Sequence, residues 1–117
     1  MTLVKFVQTA HSGNSYETPA AGRRYFAIQW RIKNVGTVAY EDSPSNGTTV
    51  ADASGQQFQS TIVTSISAGE QISSSLKLAP GRTGLGYITY DVATGTKVVT
   101  AQFGTNSGMG STGDWTF

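Results

Sequence analysis

Cysteine is absent from the 117 residues, which removes disulfides and thiolate metal ligands from any account of the chain. Charge is scarce too. Asp, Glu, Lys and Arg make up 13%, about half the share usual in a soluble domain. The net charge of +1 gives no whole-molecule field to gather nucleic acid or anionic lipid. No run approaches the ~20 apolar residues of a membrane-spanning helix. No secretory signal opens the sequence, since Met1 leads straight into TLVKFVQ. The expectation is a mature domain whose targeting segment and lipid anchor lie outside this chain.

What is present favours sheet over helix. Ser and Thr together number 29 and Gly adds 14, while the helix formers Glu, Lys and Leu are few. The length suits one domain spanning residues 1–117. Such a domain buries roughly 65% of its unfolded surface, enough for a core without staples. Short strand candidates recur between Gly, Asn, Asp, Ser and Pro clusters, the spacing of a sandwich or barrel.

The strongest strand is 25–33, YFAIQWRIK. Phe26, Ile28, Trp30 and Ile32 share one face; Tyr25, Ala27, Gln29, Arg31 and Lys33 share the other. Burying the four large side chains contributes on the order of 1.5–3 kcal/mol each before entropy. A slip of one residue would sink Arg31 and Lys33 into the core, so the stripe sets the register. Asn34 and Gly36 follow as a turn in which Asn34 can bond nearby backbone.

Further strands are expected at 3–8, 38–40, 48–53, 57–61, 75–78, 86–92, 97–103 and 114–117, with Ser54-Gly55 joining a hairpin. Ile88, Tyr90 and Val92 face one way; Tyr87, Thr89 and Asp91 face the other. Segments 11–22, 41–47 and 104–113 read as loops, and 62–74 as mostly loop with a possible edge strand. No 3.6-residue periodicity persists beyond a turn or two, and no internal repeat appears.

Chemistry-bearing residues are sparse. His11 is the one histidine, in a polar loop without a nearby acid, so a Ser–His–Asp site is not expected. Glu41-Asp42, with Asp52 across a turn, could offer oxygens to calcium, but the spacing of a calcium loop is missing and solvated acids are expected. Nothing sets two acids beside an aromatic groove, as a glycosidase requires. GRTGLG (81–86) precedes a strand rather than a helix, so it reads as a turn after Pro80 and not as a phosphate loop. Asn46-Gly47-Thr48 matches a glycosylation acceptor, a frequent chance pattern in a Ser/Thr-rich chain. Arg23-Arg24 with Arg31 and Lys33 could form a basic patch for an acidic partner, or simply keep a sheet face soluble. Trp115 shares a face with Phe117 and either packs the last strand or forms a sticky patch. Arg24, Arg31, Lys33 and Trp115 are therefore the candidate partner contacts. No catalytic residue, metal or cofactor is expected.

Several motifs occur in one order: TPAAGRRYFAIQWRIKNVG (18–36), DSPSNG (42–47), DASGQQF (52–58), LAPGRTGLGYITYDV (78–92) and the ending GSTGDWTF. Together they closely resemble a bacterial immunoglobulin-like domain of unknown function, found mostly in secreted proteins and lipoproteins of actinomycetes. It is related to a small immunogenic secreted protein of mycobacteria. The resemblance covers nearly the whole chain. It implies an all-β, immunoglobulin-like sandwich of about seven or eight antiparallel strands, exported and commonly tethered by a lipid-modified cysteine. This chain lacks that cysteine, a signal and the short strand that usually precedes 2–8, leaving an edge open to a second copy. The implied role is a non-enzymatic extracellular or cell-surface module binding a protein or glycan. The alternatives are a subunit assembling through edge strands or a C-terminal aromatic patch and, more distantly, a hydrolase.

Overall fold

A computed structural model describes residues 2–10, 21–61, 63, 66–73, 75–104 and 112–116, with Thr2 and Thr112 given by backbone alone. Nine strands follow in order: β1 (Thr2–Ala10), β2 (Arg23–Lys33), β3 (Tyr40–Asp42), β4 (Thr48–Asp52), β5 (Gln57–Thr61), β6 (Leu76–Leu78), β7 (Thr83–Ala93), β8 (Val98–Gly104) and β9 (Thr112–Thr116). A short 3-10 turn, Pro44–Gly47, sits between β3 and β4. Every strand pairing is antiparallel. Seven strands form one sheet in the order β1-β2-β7-β5-β4-β8-β9, and β3 with β6 makes a second, two-stranded sheet.

The large sheet folds over at β5. The first three residues of β5 pair with β4, whereas Ser60 and Thr61 pair with Tyr90 and Thr89 of β7. A strand that serves two layers in succession makes the corner of a sandwich. The sheet therefore curls like a half-barrel, with β1, β2 and β7 on one side and β4, β8 and β9 on the other. The expected all-β sandwich is observed, with nine strands, the number of segments read along the sequence, rather than the seven or eight that the resemblance implies.

The stripe of β2 does what its alternation dictates. Phe26, Ile28 and Trp30 are wholly buried, joined by Ile88, Tyr90 and Val92 from β7 and by Val50, Val98, Ala101 and Phe103 from the opposite layer. Trp30 packs at 5.3 Å from Phe103 and edge-on at 4.9 Å from Trp115, counting between ring centroids.

A polar chain crosses this apolar interior. Trp30 Nε1 donates to Tyr90 Oη at 3.1 Å. Thr48 Oγ1 donates to the Gln102 carbonyl at 2.8 Å. The Thr48 proton is thus spent, so the 2.7 Å contact between Tyr90 Oη and Thr48 Oγ1 has tyrosine as donor. Each group is satisfied once along the line, and the two layers are tied through the core. Burial holds the Tyr90 phenol well above its ordinary pKa. Replacing Tyr90 by Phe leaves the Trp30 N–H buried without an acceptor. We expect a loss of about 2 kcal/mol in urea unfolding. Thr48→Val added to Tyr90→Phe should cost less than the sum of the two single changes.

The other face of β2 departs from expectation. Tyr25 and Ala27, which alternation assigns to the outside, are buried, together with Tyr87 and Thr89 of β7. A second apolar cluster covers them, built from Ala10, Val63 and Ile66. Segment 66–73 is laid along β7: Tyr87 N–H donates to the Glu70 carbonyl and Ile72 N–H to the Tyr87 carbonyl, both at 2.8 Å. Gly86 allows this approach, since a Cβ there would lie 2.6 Å from the Ile72 backbone. Only the far end of β2, at Arg31 and Lys33, stays open to solvent.

Candidate functional site

Alternation on the second layer sets out a different surface. Thr48 and Val50 of β4 point into the core, so Thr49 and Ala51 point out. The same rule turns Gln57 and Gln59 of β5, Gln102 of β8 and Asp114 of β9 outward. Register then aligns them. Thr49 lies opposite Gln59 on one side and Gln102 on the other, and Gln102 lies opposite Asp114. The result is a row Gln59–Thr49–Gln102 running across three strands. The 3-10 turn at Ser45–Gly47 and Gly104 complete a groove of about 440 Å³ around it. A smaller groove of about 180 Å³ continues across Ala51, Gln57, Thr100 and Asp114.

The groove is lined by carboxamides, hydroxyls and backbone, with no charged side chain among its lining residues. Ser60 and Thr48 are already engaged: Ser60 Oγ donates to the Ser45 carbonyl at 2.6 Å, and Thr48 belongs to the buried chain. The side chains of Gln59, Thr49 and Gln102 make no hydrogen bond among the described residues. Each can both donate and accept, so the row presents matched, uncharged hydrogen-bonding capacity on a rigid sheet.

The sequence-derived candidates are dispersed. Arg24 is in phase with the core stripe, not with Arg31 and Lys33. Its guanidinium donates to the carbonyls of Gln8 and Thr96 and closes the end of the sandwich, so it is a structural tie and not part of a basic patch. Burial lowers its pKa. Arg23 instead takes the outer face and bonds Asp91 at 2.9 Å. Arg31 and Lys33 do share an exposed face and have no ion-pair partner among the described residues. Trp115 turns inward onto Trp30 rather than forming a sticky patch, while Phe117 lies outside the described residues.

The acids do not converge either. Glu41 faces Lys77 at 3.6 Å. Asp42 accepts from Tyr40 Oη and from the Ser43 N–H. Asp52 accepts from the Ser54 hydroxyl and from the Ser54 and Gln56 N–H groups, and the Ser54 hydroxyl above all holds its carboxyl below the usual range. Each therefore serves a local turn or pair, and no group of three metal-ligating side chains exists among the described residues. His11 and Glu17 lie outside the described residues. GRTGLG is the expected turn and strand start: Gly81 adopts a φ of +84° after Pro80, and Gly84 and Gly86 lie in β7. The hydroxyl of the Asn46-Gly47-Thr48 acceptor pattern is buried and bonded.

Comparison with curated protein sequences finds no match. Among solved structures, the crystal structure of a candidate lipoprotein, ycdA, of Bacillus subtilis subsp. subtilis str. 168 superposes with a TM-score of 0.71 at 12% identity. The alignment takes in 98% of this chain and 34% of that one, so this chain spans about a third of its length. At such identity the likeness is one of fold. A family model described as "Domain of unknown function (DUF4352)" matches residues 1–114, nearly the whole sequence, and the chain therefore belongs to the DUF4352 family.

Proposed function

We propose that this domain is a non-enzymatic binding module of the cell surface, and that the groove over Gln59, Thr49 and Gln102 takes a neutral glycan. The carrying observation is the row itself: three side chains with free donors and acceptors, aligned by strand register in a groove whose lining carries no charged side chain. Neighbouring strands are about 4.8 Å apart, close to the length of one sugar unit, so adjacent side chains of the row can address adjacent units of a chain laid across the strands. Carboxamides suit vicinal hydroxyls because one group can donate to one and accept from the next. The groove's hydroxyls have no histidine or carboxylate among its lining residues to activate them, which favours holding over cleaving. The immunoglobulin-like resemblance to exported actinomycete domains, and the lipoprotein description of the structural neighbour, favour a surface setting for the module.

Calorimetry with neutral hexasaccharides of glucose, xylose and N-acetylglucosamine tests this reading. At least one should bind, and Gln59→Ala with Gln102→Ala should weaken it about tenfold or more, from the loss of two hydrogen bonds of about 0.5–1.5 kcal/mol each. Unchanged affinity in the double variant would rule the groove out.

A second reading has its own observation. β1 and β9 end the large sheet. β1 carries two register irregularities, which blunt an edge, whereas β9 pairs with β8 in unbroken register. Self-association would therefore run through β9. Sedimentation over a dilution series decides: a monomer at every concentration removes this reading.

A further inference from the structure

Five large apolar side chains are notably exposed among the described residues, and three gather at one end: Val35 at 86%, Val38 at 75% and Leu85 at 52%. The β2–β7 register places them. Arg31 faces Leu85 and Lys33 faces Thr83, while the Asn34 N–H donates to the Arg82 carbonyl at 2.9 Å. Arg31, Lys33 and Arg82 are all exposed, and none forms an ion pair among the described residues. A net charge of +1 conceals this local concentration of three cations beside projecting valines. The tip is also held in place. Asn34 Nδ2 donates to the Val38 carbonyl at 2.8 Å and to the Leu78 carbonyl at 2.9 Å, so the loop is already closed and little ordering is needed on contact.

We propose that this tip docks on an anionic bilayer surface, with Val35 and Val38 entering the headgroup region and Lys33, Arg31 and Arg82 meeting lipid phosphates. Charge complementarity selects the occupant, because unpaired cations around an apolar tip match an interface that is anionic outside and apolar beneath. Size argues against a protein partner: three exposed apolar side chains, two on the loop after β2 and one on β7, cannot fill the roughly 800 Å² per partner of a stable interface. The proposal is independent of the glycan groove, which lies on the opposite layer of the sandwich.

Co-sedimentation with phosphatidylcholine vesicles, with and without phosphatidylglycerol, is the test. Binding should require phosphatidylglycerol and fade as salt rises. Lys33→Gln with Arg82→Gln should weaken it by about fivefold for each charge removed. Val35→Ser with Val38→Ser, at positions too exposed to affect folding, should also weaken it several-fold, and Gln59→Ala with Gln102→Ala should leave it unchanged. Equal partition onto both vesicle types would overturn the proposal. So would full retention by the serine variant, or serine-insensitive binding to soluble polyglutamate as strong as that to vesicles, since either shows that charge alone is read.

Discussion

Trp30→Ala is expected to remove about 4–5 kcal/mol of unfolding free energy, a large fraction of the roughly 5–15 kcal/mol typical of a domain. The indole is wholly buried and joins both layers. Its ring packs against Phe103 and Trp115 from β8 and β9, and its N–H enters the Tyr90–Thr48 chain. Alanine opens a cavity where the sandwich closes and takes from Trp115 its ring partner. Trp30→Phe separates the two roles. It keeps much of the ring contact and gives up only the N–H bond to Tyr90, so its cost should fall to about 1–2 kcal/mol. Urea unfolding followed by far-UV circular dichroism checks both, and a loss under about 1 kcal/mol for the alanine variant would refute this account of the core.

Asn34→Ala should cost about 2–4 kcal/mol although it deletes only a small polar side chain. Asn34 is buried and bonds in three directions: Nδ2 to the Val38 and Leu78 carbonyls, and Oδ1 from the Gly36 N–H at 3.0 Å. Its backbone also exchanges hydrogen bonds with Gly81 and Arg82. One residue thus fastens the turn after β2, the end of β6 and the Pro80-Gly81 turn before β7. Alanine strips the Gly36 N–H and the Val38 and Leu78 carbonyls of their Asn34 bonds at a buried position. Asn34→Asp should cost at least as much, because it keeps the acceptor for Gly36 but aims a carboxylate at two carbonyl oxygens. Unfolding midpoints of the two variants decide the matter. An aspartate variant more stable than the alanine variant would show that the Nδ2 bonds matter little.

The core of this domain could be read from its sequence because period-two alternation is local. Phe26, Ile28, Trp30 and Ile32 announce their face without knowledge of any neighbour, and so do Ile88, Tyr90 and Val92. The cover over Tyr25, Ala27 and Tyr87 was not legible, because it comes from Val63 and from residues 66–73, whose pairing with β7 depends on the close approach at Gly86. Arg24 is near Arg31 and Lys33 in sequence, but strand parity puts it on the opposite face from them. The groove row was half visible: Gln59, Thr49 and Gln102 each sit out of phase with an apolar stripe. What the sequence could not supply was strand order. Only when β4 lies between β5 and β8 do the three residues stand in line.

The central claim is that the uncharged row Gln59–Thr49–Gln102 is the binding surface. Amide chemical-shift titration with the best-bound neutral hexasaccharide, at low and high sodium chloride, tests it most directly. The account predicts shifts centred on Thr49, Gln59, Gln102 and the Pro44–Gly47 turn, with an affinity that salt leaves unchanged, since no charge is involved to be screened. Shifts centred instead on Arg31 and Lys33, or an affinity lost at high salt, would contradict it.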